Sequence, residues 1–208
     1  MIEIILLVSS VLFIFALKLF GRPSTAHRAN TFAMLAMALA VFSAFNFDFS
    51  KYDSAFYITI VVSGLLGVLI SKRVQMTQMP ELVGLFNGFG GGASGAIAYV
   101  ELSGNSLPLS DVFVAIFSMV IGIFTFSGSL VAVMKLRGKL NNFNKKLADI
   151  FSVFLPTIIL IPAVLEMDDF LIEFIILVSL IAGVIRVAVI GGADMPVVIA
   201  FLNSLSGI

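Results

Sequence analysis

Two asparagines set in apolar sequence carry the most chemistry in this chain. Asn87 lies in QMPELVGLFNGFGG (78–91) and Asn203 in DMPVVIAFLNSLSG (194–207), each seven residues past a proline, Pro80 and Pro196. An amide in apolar surroundings must be hydrogen-bonded or it is costly to bury. It serves either as an interhelical bond or as a polar step in the path of an ion or proton. The residues alone leave both readings open. Three carboxylates stand at expected helix starts: Glu81 after Pro80, Asp194 two residues before Pro196, and Asp111 in LSDVFVAIF (109–117). Each can cap a helix or sit favourably at the positive end of its dipole. The stretch GFGGGASG (88–95) adds Gly90, Gly92 and Gly95 in G-x-G-x-x-G spacing. That pattern cradles a pyrophosphate when a strand precedes it and a helix follows. The single histidine, His27, falls between Arg22 and Arg28 in a polar loop and reads as solvated; with no cysteine there is no disulfide or thiolate chemistry.

The elements that hold these groups must be membrane helices. Of 208 residues, 60% are hydrophobic and 12% charged, whereas a soluble domain is roughly a quarter charged. The zero net charge gives no pull toward nucleic acid, and none is expected as a partner. The expected fold is an all-α polytopic transmembrane bundle in a lipid bilayer. Seven complete spans are predicted at 2–20, 31–47, 54–71, 80–100, 110–134, 150–166 and 170–190, with a partial eighth from Pro196. Its thirteen residues rise only about 20 Å, so the chain is expected to stop partway through a helix. Residues 2–20 lack the basic start and small-residue cleavage site of a signal peptide.

Lys18, Arg22, Arg28, Lys72, Arg73, Lys135, Arg137, Lys139, Lys145 and Lys146 fall in the odd-numbered loops. Asp48, Asp53, Glu101, Asp111, Glu166, Asp168, Asp169 and Glu173 fall in or beside the even-numbered ones, with Lys51 the exception. The positive-inside rule then places the N-terminus outside.

In that setting no strand can precede Gly90, and nucleotide binding at the motif is set aside. Gly84, Gly88, Gly92 and Ala96 recur every fourth residue, as do Asn87, Gly91 and Gly95. Small residues so spaced let helix backbones approach; several glycines together also let a helix bend. At an offset of 116, Met79, Pro80, Asn87 and Gly91 match Met195, Pro196, Asn203 and Gly207. This suggests two four-span units in parallel orientation, with the asparagines at equal depth.

KRVQMTQMPELV (72–83), LSDVFVAIF (109–117), FTFSGSLVAVMKLRGKL (124–140) and GGADMPVVIAFLNSLSG (191–207) resemble the membrane domain of the beta subunit of proton-translocating NAD(P) transhydrogenase. The likeness runs through all spans, so 1–208 is expected to be a transmembrane proton-translocating domain that lacks the last span and the NADP(H)-binding domain. The resemblance implies a subunit of an oxidoreductase in the bacterial cytoplasmic (inner) membrane, one that couples hydride transfer between NADH and NADP⁺ to proton passage. It implies alpha-subunit partners, a dimer of the whole enzyme, and NAD(H) and NADP(H) bound elsewhere than on this chain, which alone should not transfer hydride. Asn203 matches an asparagine of the family's proton path, Asp194 an aspartate at the mouth facing the NADP(H) domain, and Asp111 a position that can carry glutamate near the outer end. Glu81 is expected to share the gating role. Asn87 departs from a frequent histidine, which titrates near neutrality where asparagine cannot; either the carrier lies on a partner subunit's helix, with a histidine of the alpha subunit the favoured candidate, or Asn87 orders water between other titrating groups. The alternatives are a stand-alone transporter using the Asn87/Asn203 pair, and a packing scaffold in which both amides are structural.

Overall fold

The computed structural model describes residues 2–44, 52–104, 107–140 and 169–207. Among them there is no strand. Seven helices are α1 (Ile2–Phe20), α2 (Ala26–Ala44), α3 (Ser54–Arg73), α4 (Met79–Gly104), α5 (Leu109–Leu136), α6 (Asp169–Ala188) and α7 (Met195–Ser206). Short 3-10 turns at Pro23–Thr25, Met76–Gln78 and Gly192–Asp194 lead into α2, α4 and α7. The expected spans at 2–20, 54–71, 80–100, 110–134 and 170–190 correspond to α1, α3, α4, α5 and α6. The one expected at 150–166 lies outside the described residues.

Among the described residues four helices, α1, α3, α5 and α6, are long and apolar enough to cross a membrane. The helix α2 is as long as α1 but less apolar, because His27, Arg28 and Asn30 occupy its first turns. It begins at Ala26, ahead of the residue 31 that hydropathy predicts. The Thr25 hydroxyl donates to the Leu19 carbonyl (2.5 Å) and closes the preceding turn, so the helix starts within the polar segment. His27 is therefore exposed in a first helical turn, not in a loop. In α4 it is glycine, contributing little hydropathy, that lowers the average.

The chain divides into two compact units, Met1–Lys72 and Arg73–Ile208. The division falls at the last residue of α3, whereas the repeat suggested by the sequence would place its midpoint after the fourth span, so the compact units do not coincide with the halves of that repeat. In the first unit α1 and α2 pack through small residues: Ser9, Ala16, Ala29 and Ala36 are buried. The Ser9 hydroxyl donates to the Ala36 carbonyl at 2.7 Å. Phe15 meets Phe32 edge to face at 5.1 Å, the geometry aromatic quadrupoles favour.

In the second unit α5 is central, packing against α4, α6 and α7. One apolar cluster joins α4, α5 and α6 through Ala98, Ile116, Met119, Val120, Ile172 and Ile175. A second, toward the other end of α5, joins it to α6 and α7 through Val131, Ala132, Val187, Met195, Ile199 and Leu202. Between Gly128 and Gly183 the α5 and α6 backbones come close enough that a Cβ on Gly183 would meet the Phe124 carbonyl at 2.5 Å.

The end of α5 is fixed locally. Gly138 has φ +66°, a left-handed conformation that costs glycine nothing. Its N–H donates to the Lys135 carbonyl (2.9 Å), and the Lys139 N–H to the Met134 carbonyl (3.0 Å). This pair of bonds is a Schellman cap, which satisfies carbonyls left over at the helix terminus.

Candidate functional site

The site is built on the seam between α4 and α5. Along most of the face of α4 turned to α5 the residues are glycine, because a larger side chain would crowd the neighbouring helix. A Cβ on Gly91 would lie 2.8 Å from both the Gly122 carbonyl and the Thr125 Cβ. A Cβ on Gly95 would lie 2.8 Å from the Ile123 side chain, one on Gly88 3.2 Å from the Ser129 Cβ, and one on Gly92 3.1 Å from the Phe126 ring. At Gly84 the clash would be with Val133 of α5 at 2.8 Å and Ile199 of α7 at 3.0 Å. Gly90, the first residue of the G-x-G-x-x-G pattern, meets nothing within 4 Å. The pattern thus lies mid-helix with its glycines divided between a packed face and an open one.

This close approach brings Asn87 within reach of α5. Its Nδ2 donates to the Ser129 Oγ at 2.9 Å, with the asparagine 9% exposed and the serine fully buried. One turn along α5, the buried Thr125 Oγ1 has no hydrogen-bond partner. The seam therefore carries a short line of polar groups, Asn87, Ser129 and Thr125, in an otherwise apolar contact. Sequence reasoning missed Ser129 and Thr125, although their i, i+4 spacing within FTFSGSL marks a polar stripe on one helix face.

On its other side Asn87 borders a cleft of about 620 Å³ between α4 and α7, lined also by Phe86, Ser94, Ile199, Asn203 and Ser206. The two asparagines thus share one cleft, although Asn203 itself is exposed. Asp111 is not part of it. This residue is exposed in the first turn of α5, where the Ser110 hydroxyl donates to its Oδ1 at 2.9 Å. Eighteen residues separate it from Ser129, about 27 Å along the helix.

Glu81 and Asp194 stand beside the starts of α4 and α7. Glu81 Oε2 accepts from Arg137 Nε at 2.6 Å, an ion pair across the α4–α5 contact. Asp194 occupies the N-cap position of α7, but its side chain makes no capping bond and is exposed; the expectation of a side-chain cap is corrected accordingly. Two residues before Arg137, Lys135 is 5% exposed and its Nζ donates to the Ile190 carbonyl at 2.5 Å. No cluster of three or more His, Cys, Asp or Glu that could hold a metal ion occurs among the described residues.

Comparison with known proteins fits this membrane architecture. The family described as NAD(P) transhydrogenase beta subunit matches residues 2–208. The "NAD(P) transhydrogenase subunit beta" of Rhodospirillum rubrum is 30% identical over 215 residues, 97% of this chain and 46% of its own length. A second sequence of that name, from a named strain of the same organism, gives the same figures. The chain spans about half the length of the curated relatives it matches. With the family pattern running from one end of the sequence to the other, the chain belongs to the NAD(P) transhydrogenase beta subunit family.

Proposed function

We propose that this chain forms part of the proton path of a membrane transhydrogenase, in which hydride transfer between NADH and NADP⁺ on soluble domains is coupled to proton translocation. The observation that carries the reading is the cleft that Asn87 and Asn203 share, in a chain of this family. A polar pair between helices lets water and protons enter apolar surroundings that otherwise exclude them. Neither amide titrates, so each orders water or positions a neighbour's proton, and the titrating group lies on a partner helix. In this reading the chain contributes its spans to the membrane bundle with the N-terminus outside, in the bacterial cytoplasmic membrane. It works with an alpha subunit and an NADP(H)-binding domain, in a dimeric enzyme whose NAD(H) and NADP(H) are held by those other parts.

The mechanism is alternating access. The state of the NADP(H) domain biases the exposed Asp194 and the Glu81 entry, and α4 and α7 open the cleft first to one side and then to the other. Such coupling requires two states that both sites favour differently. Asp111, about 27 Å from Ser129 along α5, serves the far mouth of the path. A stand-alone transporter draws no support from the family match. The test is Asn203→Leu in the assembled enzyme in liposomes, reading protons moved per hydride transferred. The expected outcome is a severalfold lower ratio with hydride transfer retained; an unaltered ratio removes Asn203 from the path and leaves the amide a structural role.

A further inference from the structure

The two helices that carry the asparagines start beside the same short stretch at the C-terminal end of α5. Ile190, whose carbonyl accepts from Lys135, comes just before the Gly192–Asp194 turn that leads into α7. The turn also lies on the Lys135 backbone: a Cβ on Gly192 would be 3.4 Å from the Lys135 carbonyl. Two residues on, Arg137 holds Glu81 in the first turn of α4. One basic side chain therefore grips the approach to α7 and the other the beginning of α4.

The chemistry at Lys135 is more than packing requires. A methionine of similar length would fill the space without desolvating an ammonium, and burying a charge is costly unless its donors are used. The Lys135 ammonium donates to a main-chain carbonyl, which fixes backbone position whatever side chain Ile190 carries. The Schellman cap at Gly138 in turn fixes the end of the helix that bears both cations.

We infer that Lys135 is a positioning residue that pins the Ile190–Asp194 turn, and through it the Asn203-bearing face of α7, while Arg137 pins the start of α4. The inference rests on the proton-path reading above, since it assigns the latch a role in keeping proton movement locked to hydride transfer. The latch fixes where α7 begins relative to α5, so the cleft wall formed by Asn203 moves only when the turn is released.

The chain contains no cysteine, so single thiols for nitroxide labels can be placed at the exposed Ala193 and Met76. In the membrane-embedded chain, Lys135→Met should at least double nitroxide mobility at Ala193→Cys and leave Met76→Cys unchanged. Arg137→Gln should do the reverse. Lys135→Arg, whose guanidinium reaches the same carbonyl, should restore the native spectrum. In the assembled enzyme Lys135→Met should lower protons per hydride severalfold while hydride transfer persists, with recovery in Lys135→Arg. If Lys135→Met does not insert, Lys135→Gln takes its place with the same two readouts. Unchanged mobility at position 193, or a loosened turn with an unaltered proton ratio, overturns the proposal. A native enzyme that moves no protons sinks the functional reading instead, and the nitroxide contrast still decides whether the turn is pinned.

Discussion

Asn87 and Asn203 occupy matching places in matching sequences, yet the two helices around them are packed in different ways. On α4, Asn87 belongs to the face pressed into α5, bonded to Ser129 with glycines above and below it. On α7 the positions that align with Gly84 and Gly88 are Ala200 and Ser204, and both are exposed, as is Asn203. The residues α7 buries are Met195, Ile199 and Leu202, a separate stripe of the helix. The difference teaches that matching sequence around a residue does not fix which face of its helix is buried. Distance from the proline follows from counting residues; which face is buried follows from the bulk of every neighbour. One amide is thereby fixed to the scaffold, and the other stands on the cleft wall.

The contrast can be broken most forcefully at the glycines. A Cβ on Gly122 would sit 2.5 Å from the Gly91 carbonyl and 2.6 Å from the Gly95 nitrogen, both backbone atoms that cannot swing aside. Gly122→Ala should therefore cost about 1–3 kcal/mol, as overpacking does, measured by denaturant titration in mixed micelles. Ala200→Leu, on the exposed side of α7, should stay within about 0.5 kcal/mol. Equal costs would mean that α7 is packed as tightly as α4 and that the two faces do not differ.

A smaller effect is expected at the asparagines. Asn87→Ala removes the bond to Ser129, and hydrogen bonds between membrane helices average about 0.6 kcal/mol with a maximum near 1.7. Asn203→Ala removes no hydrogen bond made by its side chain among the described residues and should leave stability unchanged within about 0.5 kcal/mol. The same titration ranks them. A larger loss at Asn203 would show that it is the anchored amide, reversing their roles.

The extent to which the sequence disclosed this arrangement follows from what each feature depends on. Helix α5 was legible because twenty-odd apolar residues have one favourable state in lipid, and the family was legible in MPELV and GGADMP. The small-residue rows of α4 were legible because their period is that of the helix. The partner of Asn87 was not, since the choice of Ser129 depends on how α5 is rotated, and hydropathy does not encode rotation. Lys135 read as one more loop cation, because its bond goes to a main-chain carbonyl and leaves no trace in the side chain at Ile190. Asp111 was expected near the outer end, and helix rise puts it about 27 Å along α5 from Ser129. The start of α2 was missed by five residues because Thr25 closes its entry turn within a polar segment that hydropathy assigns to a loop.

The smallest expected effect discriminates best between two explanations of the glycine run. Glycine in α4 either lets the backbone approach α5 or lets the helix bend. Gly90 and Gly91 are neighbours in sequence and share the second property, but only Gly91 has the first: a Cβ at 90 meets nothing within 4 Å, whereas one at 91 meets α5 at 2.8 Å. Gly90→Ala should be neutral or, because alanine favours the helix by up to about 1 kcal/mol, slightly stabilising, while Gly91→Ala should cost about 1–3 kcal/mol. If α4 works by bending, Gly90→Ala would instead slow proton movement in the assembled enzyme without changing stability. Titrating both variants and measuring proton flux for Gly90→Ala separates the cases, because a helix that only needs to fit closely is indifferent to a methyl group on its open side.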